Sequence, residues 1–71
     1  MPYRDNGDLP SSVRNHLPLH AQNIYLAAFN NAWQEYAGDI RRDEISHRVA
    51  WAAVKKTYVR RGGDWVAKDA L

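Results

Sequence analysis

The sequence predicts a mainly α-helical protein. A short N-terminal helix precedes two long helices folded back as an antiparallel hairpin, with a tiny two-stranded sheet formed from the termini. Three observations carry this reading. Apolar residues recur at helical spacing from Ala21 to Tyr36; no Gly or Pro interrupts the chain from Asp39 to Arg61; and Gly38-Asp39 stands between the two runs as a turn signal.

Residues 1–9 are polar, with an extended stretch expected at Pro2-Tyr3-Arg4 because Pro restricts φ and Tyr favours strands. Pro10 suits the first position of a helix that runs to His16 and turns Val13 and Leu17 inward. Pro18 disfavours helical geometry at Leu17, so that helix stops, and the same Pro18 is placed to open the next. From Leu19 to Tyr36 the apolar side is Ala21, Ile24, Tyr25, Ala28, Phe29, Ala32, Trp33 and Tyr36, a 3.6-residue period held for over four turns. Gly38 offers a left-handed closing residue and Asp39 a side-chain acceptor for the next helix start.

The second long helix is expected to extend through Arg61 and end at Gly62-Gly63. Ile45, Val49, Ala52 and Ala53 form one buried stripe, and His47, Trp51, Val54 and Tyr58 a neighbouring row. Asp43 and Glu44 in its first turn, with Lys55, Lys56, Arg60 and Arg61 in its last turns, complement the helix dipole. Trp65-Val66 then packs back onto the body and pairs with Pro2–Arg4. The expected core is Ile24, Phe29, Trp33, Val49, Trp51, Tyr58 and Trp65, within a single domain spanning residues 1–71.

With 71 residues there is room for one small core, and eight aromatic side chains supply it without any cysteine staple. The absence of cysteine fits a reducing compartment. No apolar signal segment opens the chain, and Val49–Val54 is far short of the roughly 20 residues that span a bilayer. A cytoplasmic protein is expected. Charge divides unevenly: residues 1–40 carry −2 (Arg4 and Arg14 against Asp5, Asp8, Glu35 and Asp39) and residues 41–71 carry +4. Such a dipole suits docking to an acidic protein surface, to anionic lipid or to nucleic acid, and equally suits a solvated face.

Chemistry-bearing patterns are sparse. His16 and His20 have the spacing of a helical metal pair, but Pro18 breaks the helix between them and His47 lies on another element. Adjacent acids read as helix-start residues, Ser11-Ser12 has no triad context, and no Gly-rich phosphate loop is present. No enzyme and no cofactor are expected. Arg41, Arg48, Lys55, Lys56, Arg60 and Arg61 form the candidate partner-binding ridge. It would serve a protein partner or, on the alternative reading, a nucleic acid bound by the basic second helix and C-terminal segment.

Met1-Pro2-Tyr3, Asp8-Leu9-Pro10, Leu17-Pro18 and His20-Ala21-Gln22-Asn23-Ile24-Tyr25 resemble the ChaB family of cation transport regulators. So do Ala28-Phe29-Asn30-Asn31-Ala32-Trp33 with Tyr36, and His47-Arg48-Val49-Ala50-Trp51-Ala52-Ala53-Val54-Lys55 with Tyr58 and Trp65. The resemblance implies three helices and a very small sheet, similar to part of a cyclin box. It also implies regulation of a sodium(calcium)/proton antiporter through contact with its cytoplasmic face. Bacterial members often carry a longer, charge-rich link between the long helices; here it shrinks to about Ala37–Asp43.

Overall fold

Pro18, extended at φ −64° and ψ 163°, is the N-cap of a 17-residue helix whose buried side chains are Ala21, Tyr25, Phe29 and Ala32. This is α2 (Leu19–Glu35) in a computed structural model that describes residues 3–70. Before it come a 3-10 turn at Asn6–Asp8 and α1 (Ser11–Arg14); after it come α3 (Arg42–Thr57), β1 (Tyr58–Arg61), β2 (Asp64–Ala67) and a 3-10 turn at Lys68–Ala70. The expected three helices and small sheet are therefore present.

α1 is shorter than the expected Pro10–His16 span, and Pro10 is its N-cap rather than its first helical residue. Val13 and Leu17 are buried as expected. Gln22 reaches back from α2 and donates its side-chain amide to the Leu17 carbonyl at 2.9 Å, satisfying an acceptor left by the end of the first helical turn.

α2 and α3 run antiparallel. Trp33 meets Arg42, Phe29 meets His47, Tyr25 meets Trp51, and His20 meets Tyr58 just beyond the end of α3. At the hairpin tip Arg42 lies 3.9 Å above the Trp33 ring centroid and donates from Nε to the Trp33 carbonyl at 2.6 Å, so one side chain fastens the tip twice. Gly38 is not left-handed; α2 closes on the Tyr36 amide bonded to Ala32, and the described positive-φ residues are Gly62 and Gly63. Asp39 does help to open α3, accepting the Arg41 amide at 2.8 Å.

Two expectations about the second half are corrected. α3 ends at Thr57, and Tyr58–Arg61 is a strand rather than the last turns of a helix. Gly62 at φ 57° and Gly63 at φ 96° have the positive φ values of a type I′ hairpin turn, which only residues without a Cβ adopt cheaply. The turn matches the strand propensity of Tyr58-Val59 and Trp65-Val66 on either side. The sheet is thus local, with Tyr58 opposite Ala67, Val59 opposite Val66, Arg60 opposite Trp65 and Arg61 opposite Asp64.

It is not built from the termini. Pro2 lies outside the described residues, and Tyr3 is held on α2: its amide donates to Asn30 Oδ1 at 2.9 Å and its carbonyl accepts from Asn30 Nδ2 at 2.8 Å. One asparagine side chain thereby supplies both bonds that a neighbouring strand would have given. The Tyr3 ring packs 4.6 Å from Phe29, centroid to centroid.

The second correction concerns which face of α3 is inward. Ser46, Ala50 and Val54 are fully buried, whereas Val49 is 37% exposed and Ala52 is also exposed. The buried stripe is shifted by one residue from the expected one, because small residues sit where Tyr25 and Phe29 of α2 fill the space. Val49 therefore leaves the core. Phe29 and Tyr58 are buried within it, and Ile24, Trp33, Trp51 and Trp65 pack partly buried against it. Ser46 Oγ is buried without a hydrogen-bond partner among the described residues.

The displaced stripe is open to test by denaturant unfolding. Phe29→Ala should cost about 3–5 kcal/mol, as expected for truncating a buried aromatic. Val49→Ala should stay within about 0.5 kcal/mol, the range of ordinary surface substitutions.

Candidate functional site: a cationic groove over paired tryptophans

Trp51 and Lys55 are one turn apart on α3, at i and i+4, and so share a face of the helix. Arg60 and Trp65 are directly opposed across β1 and β2, and so share a face of the sheet. The hairpin folds back until the two tryptophan rings lie 5.5 Å apart, tilted by 33°. Two aromatic–cation couples, one from a helix and one from a hairpin, thereby meet at one place. Ser12 and His16 of the α1 region form the opposite bank, and the resulting groove encloses about 420 Å³.

The bank is ordered by its own bond, in which His16 Nδ1 donates to the Ser12 carbonyl at 2.7 Å; since the carbonyl can only accept, this assigns the proton to Nδ1. A shallower depression of about 300 Å³ continues past Lys55, Arg60 and Trp65 to Lys68. Both Lys55 and Arg60 are exposed.

Of the six cations expected to form one ridge, two line the groove. Lys55 and Arg60 flank the groove. Lys56 lines a 320 Å³ depression with His20, Tyr58 and Lys68, the last two of which also border the depression beside the groove. Arg48 pairs with Glu44 at 3.3 Å, an exposed i,i+4 bridge worth about 0.3–0.5 kcal/mol. Arg61 is opposite Asp64 across the hairpin, and Arg41 sits at the start of α3, next to the tip. Ser12, His16 and Lys68 carry no sequence signal for this role, because only the tertiary docking of α1 and β2 brings them to the tryptophans.

Beneath the groove, Trp51 meets Tyr25 edge-on at 5.2 Å. The Tyr25 hydroxyl is hydrogen-bonded to His47 Nδ1. Burial raises the Tyr25 hydroxyl well above the usual phenol range, with Tyr3 adding to the effect. Burial also lowers the His47 pKa, and the Asp43 carboxylate acts in the opposite direction. Tyr25 therefore keeps its proton and donates it to a neutral His47. Tyr3 is raised by its own burial and then by Asp43. Across α2, His20 Nδ1 bonds the Tyr58 hydroxyl at 3.0 Å, tying the start of α2 to the first residue of β1. Among the described residues, no three of His, Cys, Asp and Glu gather as a metal cage, and no helix is long and apolar enough to cross a membrane.

A model of the ChaB family matches residues 9–68. The chain belongs to the ChaB family. It is similar to proteins from Escherichia coli K12, Escherichia coli O157:H7 and Shigella flexneri, each named "Putative cation transport regulator ChaB". Each is 49% identical over 76 aligned residues, covering 97% of this chain and 100% of the relative. An NMR solution structure of a protein of the same name superposes with a TM-score of 0.84 at 47% identity, covering 94% of this chain and 99% of the other. The hairpin and the helices that shape the groove thus belong to a fold seen in a ChaB relative in solution.

The His47 environment has a measurable consequence. Its folded pKa lies below the ordinary 6.5, so the unfolded chain takes up a proton first. The stability this group contributes is present above about pH 6.5 and is lost as pH falls through that value towards the folded pKa. Thermal unfolding at pH 7.5 and 5.5 should show a larger drop for the parent than for His47→Gln; equal drops would show that His47 is not held neutral.

Proposed function

We propose that this protein regulates a cation transport system by binding one of its protein components, with the groove between Trp51, Lys55, Arg60 and Trp65 as the contact surface. The component we favour is a sodium(calcium)/proton antiporter, contacted from the cytoplasmic side. The relatives' name supports the regulatory part of this reading. One structural observation supports the contact surface: two exposed cations flank a pair of part-buried tryptophans at a single concave place. Aromatic side chains in a partly desolvated pocket, with charge at the rim, are the usual composition of an energetic centre in a protein interface.

A non-enzymatic role fits the chemistry. The acids Asp5, Asp8, Asp43 and Glu44 lie outside the groove, and its only titratable imidazole, His16, is engaged with a backbone carbonyl. Arg48 is paired with Glu44, which takes one of the expected cations out of a phosphate-binding track.

Photo-crosslinking from position 55 in native cells, followed by mass spectrometry, tests the reading. The expected product is an antiporter or another component of a cation transport system. Recovery of nucleic acid alone would overturn it.

A further inference from the structure

We infer that the groove takes an acidic peptide segment carrying one large apolar side chain, the apolar group seated on Trp51 and Trp65 and its flanking carboxylates held by Lys55 and Arg60. The inference deepens the proposed function and rests on its choice of surface, but it concerns the chemistry of the occupant and is tested separately.

Placement of charge relative to the aromatics carries the argument. Lys55 stands one helical turn beyond Trp51, and Arg60 stands directly across the strands from Trp65. Both cations line the groove together with the ring pair, and both border the neighbouring depression with Lys68. An occupant with a single carboxylate leaves one of the two cations without a counter-charge; an apolar residue accompanied by more than one acid serves both. Neither Lys55 nor Arg60 has an ion-pair partner among the described residues, while Arg48 has Glu44 and Arg42 is engaged with Trp33. The groove's 420 Å³ falls within the range of about 300–1,000 Å³ typical of ligand sites. Lys68, in the depression that continues past Arg60, extends the positive field along the direction an extended segment would leave.

The same features fit a nucleic acid less well. Trp51 packs against both Tyr25 and Trp65, which leaves less of its ring open to the base stacking that single-stranded nucleic acid uses.

The test is a titration of the isotope-labelled full chain, followed by NMR at the indole Nε1–H signals of Trp51 and Trp65. The probes are a twelve-residue Asp/Glu peptide with one central Leu, the same peptide with every acid replaced by its amide, and a twelve-nucleotide oligothymidylate. The acidic peptide should shift both indole signals. The amide peptide should bind at least about tenfold more weakly, and so should a Lys55→Glu, Arg60→Glu variant, a loss of about 1.4 kcal/mol. Should that variant not fold, Lys55→Gln with Arg60→Gln replaces it, with the same direction of change expected.

Indole signals unmoved by the acidic peptide, equal binding of the amide peptide, or tighter binding of the oligothymidylate in the groove would each overturn the inference. If position 55 captures a transport component while the acidic peptide leaves both indoles unmoved, the occupant is wrong and the function stands. If the peptide binds as expected and position 55 captures nucleic acid alone, the function is wrong and the groove's chemistry stands.

Discussion

Tyr25 is the side chain on which the rest of this small structure depends. Fully buried near the middle of α2, it has three different neighbours: Phe29 on its own helix, the His47 imidazole through its hydroxyl, and the Trp51 ring edge across the hairpin. A chain of 71 residues buries a modest share of its surface, so a few large rings must do what a broad aliphatic core does elsewhere. Phe29, Tyr25, Trp51 and Trp65 accordingly form a continuous run of ring contacts from the core to the surface. The groove is the end of that run. Its floor is fixed by the packing that stabilises the fold.

Helical periodicity made much of this architecture legible in advance. Val13, Leu17, Ala21, Tyr25 and Phe29 each lie where the spacing put them, and Pro18 marks the junction between α1 and α2. The second half was less legible, for two physical reasons. Ser46 and Ala50 carry little hydrophobic weight in a sequence, yet small residues are what a helix needs opposite two buried aromatics; Val49 drew the stripe to the wrong side. Tyr58 continues the helical spacing of Trp51 and Val54, so the end of α3 is hidden until Gly62-Gly63 is read as a two-residue hairpin turn with strand-forming residues on both sides.

That turn also decides the candidate site. On an uninterrupted helix, Lys55 and Arg60 would stand about 140° apart around the axis, five residues at about 100° each. With β1 beginning at Tyr58, they flank the same pair of tryptophans. Their proximity comes from the β-hairpin and not from a shared helix face, as the sequence reading supposed. Ser12 and His16 could not have been named, because nothing local connects α1 to a tryptophan more than thirty residues away. Within the basic C-terminal half, Arg48 is in an ion pair with Glu44, Arg42 fastens the hairpin tip, and Lys55 and Arg60 line the groove.

The central claim is that the core and the groove are one packed unit joined through Trp51. A double-mutant cycle of Tyr25→Leu and Trp65→Leu, read by denaturant unfolding, tests it most directly, since each of the two residues packs against the Trp51 ring. A packed unit predicts a coupling of more than about 0.5 kcal/mol. Additivity within about 0.3 kcal/mol would contradict it and would leave the hairpin as an independent appendage.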